Sequence, residues 1–366
     1  MASRRWHSTP AGRSFLGVVA PLVIAQLALI ACTSEETGSP VETPSAAPPT
    51  ASVANPFESL AAPPSPASAG GLPPIKSIDA AGGQTIRTTH DADWTLVAYH
   101  VTWVTGLGGG VGRFDTVTGR PLSSVRIPQG PCMAPDAGFG SVWTATCDEP
   151  GIARIDPSGK LVDWFPVDLA THDGESSIGV GEGGVWALAD GDTCLACELS
   201  RLEPKSGQVN ESYPVPEGGA SVRAGLGGIW IAYPDRDAML HVDPDTGEVV
   251  AAVATGGYPL FFDIGEGGVW VMNQGDGSVT HIDPSTDAAV ATIDVDQQIE
   301  GGDLTVGDGS VWLRATDELV ARIEPSTDTV VARYGAPQGS GSASAANGQL
   351  WISAHDVARI YRIPLA

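Results

Sequence analysis

Lysine is nearly missing from this chain: only Lys76, Lys160 and Lys205 occur in 366 residues. Lysine and arginine together number 19 against 43 aspartates and glutamates, for a net charge of −24. A phosphate backbone is held by clustered cations, so this balance argues against a nucleic-acid partner. It favours solubility and offers carboxylates to any cation that approaches. Long hydrophobic runs are scarce as well. The longest candidate, residues 15–31, is interrupted by Pro21 and Gln26 and is too short for a comfortable membrane span. No segment keeps a helical period, which excludes an array of helices.

The apolar stretch follows Arg4, Arg5 and Arg13 and ends in Leu29-Ile30-Ala31-Cys32. A positive start and an apolar core mark an export signal. Leu, a tolerated residue, a small residue and then Cys resembles the end of a bacterial lipoprotein signal. That resemblance implies removal of residues 1–31 and acylation of Cys32 on its thiol and its new amino group. Each buried CH₂ contributes about 0.8 kcal/mol, so several acyl chains on one residue would anchor the chain stably to the outer face of the cell membrane. From Thr33 to about Pro74 the chain is Ser, Thr, Pro, Ala and Glu, too poor in apolar area to offset chain entropy. Residues 32–75 therefore read as a disordered tether and 76–366 as a folded head.

What the head does contain is a repeat. Trp103, Trp143, Trp186, Trp230, Trp270, Trp312 and Trp351 recur at intervals of 39 to 44 residues. Leads such as "GSVW", "GGVW" and "GGIW" precede them, and turns such as "IDPSG", "VDPDTG" and "IDPSTD" follow. Within 259–295, "LFFDIG", "VWVMN", "VTHID" and "AVATIDV" are strand-length runs separated by "GEGG", "GDG" and "PSTD". Four short strands per period of about 42 residues make one propeller blade. The last repeat, ending in "ARIYRIPLA", lacks a fourth strand, and "GQTIRTT" at 83–89 is an orphan one. Pairing the two would hide both edges. The expectation is an all-β, seven-bladed propeller of four-stranded antiparallel blades, closed by an N-terminal strand that completes the last blade. Each Trp should pack between adjacent blades, and His241 and His281, where other repeats carry Arg, should do the same.

With its "G-x-G-x-V-W-V" leads and "R-I-D-P-x-T-G" turns, the chain over 78–366 resembles seven-bladed propellers of the YVTN and virginiamycin B lyase (streptogramin lyase) type. The resemblance implies the fold. For the lyases it would also imply a magnesium ion, a catalytic His and nearby Glu residues on one loop face. A Glu-x-His in a second-strand or leaving loop is not found in this sequence, so no catalytic residue is carried over.

In a blade, the loop entering strand one and the loop leaving strand two share one end, over the channel. Three His–acid pairs fall in such loops: His90-Asp91, His172-Asp173 and His355-Asp356, with Asp93, Glu175, Glu300 and Asp303 as further acids on that face. Imidazole and carboxylate together could hold a divalent cation, Mg or Ca, or supply a general base. Local capping by Asp in polar turns explains the same residues. Two functions stay open: a monomeric surface module that binds a protein, peptide or glycan, and a metal-dependent lyase or hydrolase.

Besides Cys32, four cysteines remain and allow three connectivities. An exported chain favours disulfides over zinc. Cys132 opens a first strand and Cys147 ends the next, so antiparallel pairing favours Cys132–Cys147, while Cys194 and Cys197 could close one loop. A four-Cys zinc site across neighbouring blades is the alternative.

Overall fold

The seven tryptophans sit in the middle of seven second strands. The computed structural model describes residues 55–66, 71–88, 92–106, 110–169, 178–191 and 194–365. Seven sheets stand around a central channel, their strands counted here outward from it, antiparallel except that Ile75–Lys76 adds a short parallel strand to the outer edge of blade 6. Blade 1 is Thr95–Ala98, Val101–Val104, Gly110–Asp115 and Val125–Arg126; blade 5 is Pro259–Gly265, Gly268–Asn273, Ser278–Asp283 and Ala288–Asp294. Blade 7 takes Ala343–Ala346, Gln349–Ala354 and Arg359–Pro364 from the C-terminal end. Its fourth strand is Gln84–Arg87, antiparallel to Arg359–Pro364. The ring is closed by the N-terminal strand, as expected.

The local sequence explains the inner hairpins. Two-residue turns that match strand twist need two consecutive positive φ angles. Glu266 and Gly267 have φ of 49° and 82°, and Leu226-Gly227, Asp308-Gly309 and Asn347-Gly348 do likewise. The last Gly of "GEGGVW" has another reason: a Cβ on Gly268 would lie 2.4 Å from the His281 ring nitrogen.

Each Trp then buries itself against the next blade. Trp103 packs with Val142 of blade 2, Trp186 with Val222 of blade 4, Trp270 with Leu304 of blade 6, and Trp351 with Val97 and Val104 of blade 1. All seven are at most 1% exposed. A basic residue of strand three covers the other ring face. Arg113, Arg154, Arg201 and Arg322 stand over their tryptophans at 4.8 to 5.8 Å. His241 and His281 stack on Trp230 and Trp270 at 4.4 and 3.8 Å. Most also reach the next blade: Arg113 donates to the Pro157 carbonyl, Arg154 to that of Lys205, and Arg362 to that of Val117. His241 Nδ1 meets Asp287 at 2.7 Å and His281 Nδ1 meets Asp328 at 2.8 Å. The two histidines are inter-blade ties.

Cys132–Cys147 and Cys194–Cys197 are both bonded, with Cα atoms 5.9 Å apart in each pair. The first joins the edge of blade 2's inner strand to the end of its second. Replacing Cys132 and Cys147 together by Ala should lower stability by about 3 kcal/mol, the chain-entropy value for a loop of about 15 residues, as read from the urea midpoint.

Candidate binding face and channel

The first strands line the channel, and one register position decides what fills it. Opposite the seven tryptophans, on strand one, stand Leu96, Asp136, Gly179, Arg223, Asp263, Thr305 and Ser344. Three of them are charged. Asp136 Oδ2 accepts the Val180 N–H of blade 3 at 2.8 Å. Asp263 Oδ2 accepts the Val306 N–H of blade 6 at 2.7 Å and the Thr305 hydroxyl at 3.2 Å. Ser344 Oγ accepts the Val97 N–H of blade 1 at 2.9 Å. The position is an inter-blade clamp. Arg223 donates to the carbonyls of Ile178 and Val222, both at 3.1 Å. It is also the cation opposing the buried charge of Asp136, Asp263 and Asp303. Burial outweighs it. The Asp136 and Asp263 carboxyls are pushed above the ordinary range, and Asp303 is pushed up to about 7. The four charged groups border a cavity of about 70 Å³, room for roughly two waters.

Asp303 therefore lies deeper than the loop-face reading has it. It is the first residue of its strand, 6% exposed, and its carboxylate faces the Ala343 N–H of blade 7 at 3.5 Å. Glu300, His355 and Asp356 are at the loop face itself. A cleft of about 230 Å³ between blades 6 and 7 is lined by Glu300, Gly301, Thr316, Ser340 and Asp356, among others. His355 opens a short 3₁₀ turn after strand two of blade 7. Its Nε2 lies 2.5 Å from Asp356 Oδ1 and its Nδ1 3.2 Å from Asp93 Oδ1, at the entry to blade 1. Both ring nitrogens thus lie within ion-pair distance of carboxylates, one in the same turn and one at the entry to blade 1. Asp356 also accepts the Ser340 N–H at 3.2 Å. His90, Asp91, His172, Asp173 and Cys32 lie outside the described residues. Among the described residues, no group of three or more His, Cys, Asp or Glu is arranged to hold a metal ion, and no helix is long and apolar enough to cross a membrane.

Beneath the cleft is Arg314, fully buried. It donates to the carbonyls of Ala315 at 2.8 Å, Gly339 at 2.6 Å, Gln338 at 3.1 Å and Ser353 at 3.3 Å. Burial lowers its pKa to about 10, still far above neutrality. A permanently charged fork with several donors is suited to gathering carbonyls from two blades, and it fixes the cleft floor. Sequence reasoning missed both Arg314 and Arg223. The available signal was a charge within or at the end of an apolar strand, as in "SVRAG" and "SVWLR".

No protein-family model and no curated protein matches this chain. Among solved structures it is similar to a streptogramin B lyase, at 13% identity and a TM-score of 0.62, covering 78% of this chain and 97% of that one. It is also similar to BamB from Moraxella catarrhalis, at 12% identity and a TM-score of 0.52, covering 75% and 84%. At such identities the likeness is one of fold.

Proposed function

We propose that the protein is an extracytoplasmic binding module, lipid-anchored through Cys32, whose propeller takes a protein, peptide or glycan ligand on the loop face. The observation that carries this reading is the cleft between blades 6 and 7. Its rim brings Glu300 and Asp356 to one opening, and its floor is braced by Arg314 through four backbone carbonyls. A rim held in place before the ligand arrives loses little conformational entropy on binding. Two carboxylates with Thr316 and Ser340 suit amine or hydroxyl donors, which peptides and glycans both offer. The bonded cysteines fit an oxidising compartment outside the cytoplasm.

The second reading, a metal-dependent lyase, draws on the likeness to a streptogramin B lyase. Of its candidate bases, His355 holds its ring nitrogens 2.5 Å from Asp356 and 3.2 Å from Asp93, so one nitrogen would have to leave its carboxylate to take a substrate proton. A photoreactive residue separates binding faces directly. Placed at Ser340 on the cleft rim, it should form an adduct in cells; placed at Ser285, in a turn at the opposite end, it should form none. Adducts from Ser285 alone would overturn the assignment of the face.

A further inference from the structure

The proline- and alanine-rich segment at 55–66 has one aromatic residue, Phe57, and that residue is set into the propeller. Segment and propeller belong to one compact unit. An Asn-Pro turn presents the ring: the Asn55 carbonyl accepts the Glu58 N–H at 3.1 Å, and Asn55 Oδ1 accepts that of Phe57 at 3.2 Å. The Phe57 ring lies 4.9 Å from the Tyr233 ring, tilted by 55°, and the Arg236 guanidinium stands 5.8 Å from its centroid. Tyr233 ends strand two of blade 4 and is 1% exposed. Arg236 is in the turn Pro234–Arg236 that follows. Phe57 therefore sits on the loop face, against the blade 3–4 core that contains Val215 and Ile231.

The receiving side is built without help from Phe57. Tyr233 is fixed by its own hydroxyl, which donates to the Pro216 carbonyl at 2.8 Å. An aromatic wall and an arginine make a receptor for a second aromatic ring. We propose that this is a binding site for an aromatic side chain presented on a proline-containing turn of a peptide, filled in the free protein by the chain's own Phe57. The occupant shows the chemistry, with Pro56 before the ring and Pro63, Pro64 and Pro66 after it. Proline fixes its own φ before binding, so a turn built on Asn55-Pro56 loses less entropy on docking. Further along the chain, Ile75 and Lys76 pair in parallel with Arg333 and Tyr334 at the outer edge of blade 6. An occupant tethered this closely competes at an effective concentration in the millimolar range. A partner with the same anchor and more contacts displaces it and releases 55–66. The site is separate from the blade 6–7 cleft, and it stands or falls independently of that reading.

The test uses the full chain with Phe57→Ala and a fluorescein-labelled peptide of residues 53–66. The peptide should bind the variant at least about tenfold more tightly than it binds the wild type, whose own segment competes. A peptide with Ala in place of Phe57 should bind neither chain, and adding Arg236→Ala to the variant should weaken binding several-fold. Equal binding to both chains, or binding to neither, overturns the proposal. Should Phe57→Ala fold poorly, a protease site inserted between Pro66 and Gly71 and cut after folding releases the segment from an unaltered propeller. The cut chain should then take up the labelled peptide, and failure to do so is equally fatal.

Discussion

Trp351→Ala should lower the free energy of unfolding by about 4 kcal/mol, the range for removing a buried Trp. Trp351 closes the ring, packing from blade 7 against Val97, Val104 and Phe114 of blade 1, with the Phe114 ring 5.8 Å away. Its indole N–H donates to the Thr116 carbonyl of blade 1 at 3.1 Å. Trp103, Trp143, Trp186, Trp270 and Trp312 instead donate to a carbonyl five residues earlier in their own blade. The variant thus loses apolar burial and leaves a buried carbonyl of another blade without its donor, a further penalty. Urea unfolding reads the effect, and a loss under about 1 kcal/mol would mean that the blade 7–1 seam contributes little. Trp351 should also exceed Trp270, whose hydrogen bond does not cross the seam.

Stability should rise as pH falls from 8 to 5.5, and Asp303→Asn should abolish most of that rise. The Asp303 carboxyl goes from 3.8 to about 7 on burial. Its folded-state value lies above the unfolded one, so between these limits the folded chain holds a proton that the unfolded chain has released. Stability from this group is full below about pH 4 and is lost as pH rises through 7. At 1.36 kcal/mol per unit the loss is on the order of 4 kcal/mol. Arg223 and Asp263 face the group, and Arg223 already offsets part of the cost. Asp136 and Asp263 are raised for the same reason and act in the same direction. Exposed carboxylates such as Asp115, Asp156 and Asp283 are lowered by hydroxyl and backbone donors in their turns and act oppositely, losing stability in strong acid. The optimum therefore falls in weak acid. Melting curves should show Asp303→Asn more stable than wild type at pH 8, with the difference less than half as large at pH 5 and gone below about pH 4. A variant less stable at pH 8, with an unchanged slope, would contradict the burial argument.

The architecture was legible because it is repeated. A period anchored on Trp gave the blade count, its four strands and the strand missing from the last repeat. The pairing of Cys132 with Cys147 followed from the antiparallel neighbours. His241 and His281 could be assigned because five other repeats place Arg at the same point. The channel was not legible in the same way. Asp303 stands three residues from Glu300, and only the register of the first strand turns one carboxylate into the channel and leaves the other at the rim. Arg223 and Arg314 act across blade boundaries, where contacts are set by ring geometry and not by sequence separation. Phe57 escaped because composition averages over a window, while one aromatic ring in a proline-rich stretch needs only one receptive surface.

The measurement that bears most directly on the loop face is thermal unfolding of the full chain in EDTA, then in excess magnesium or calcium. With His355 set between Asp93 and Asp356, the midpoint should move by less than about 1 °C. A cation bound at 100 times its Kd would add about 2.7 kcal/mol, a rise of several degrees for a domain of this size. A rise of that size, lost in His355→Ala, would contradict the binding-module assignment and make the face a metal centre.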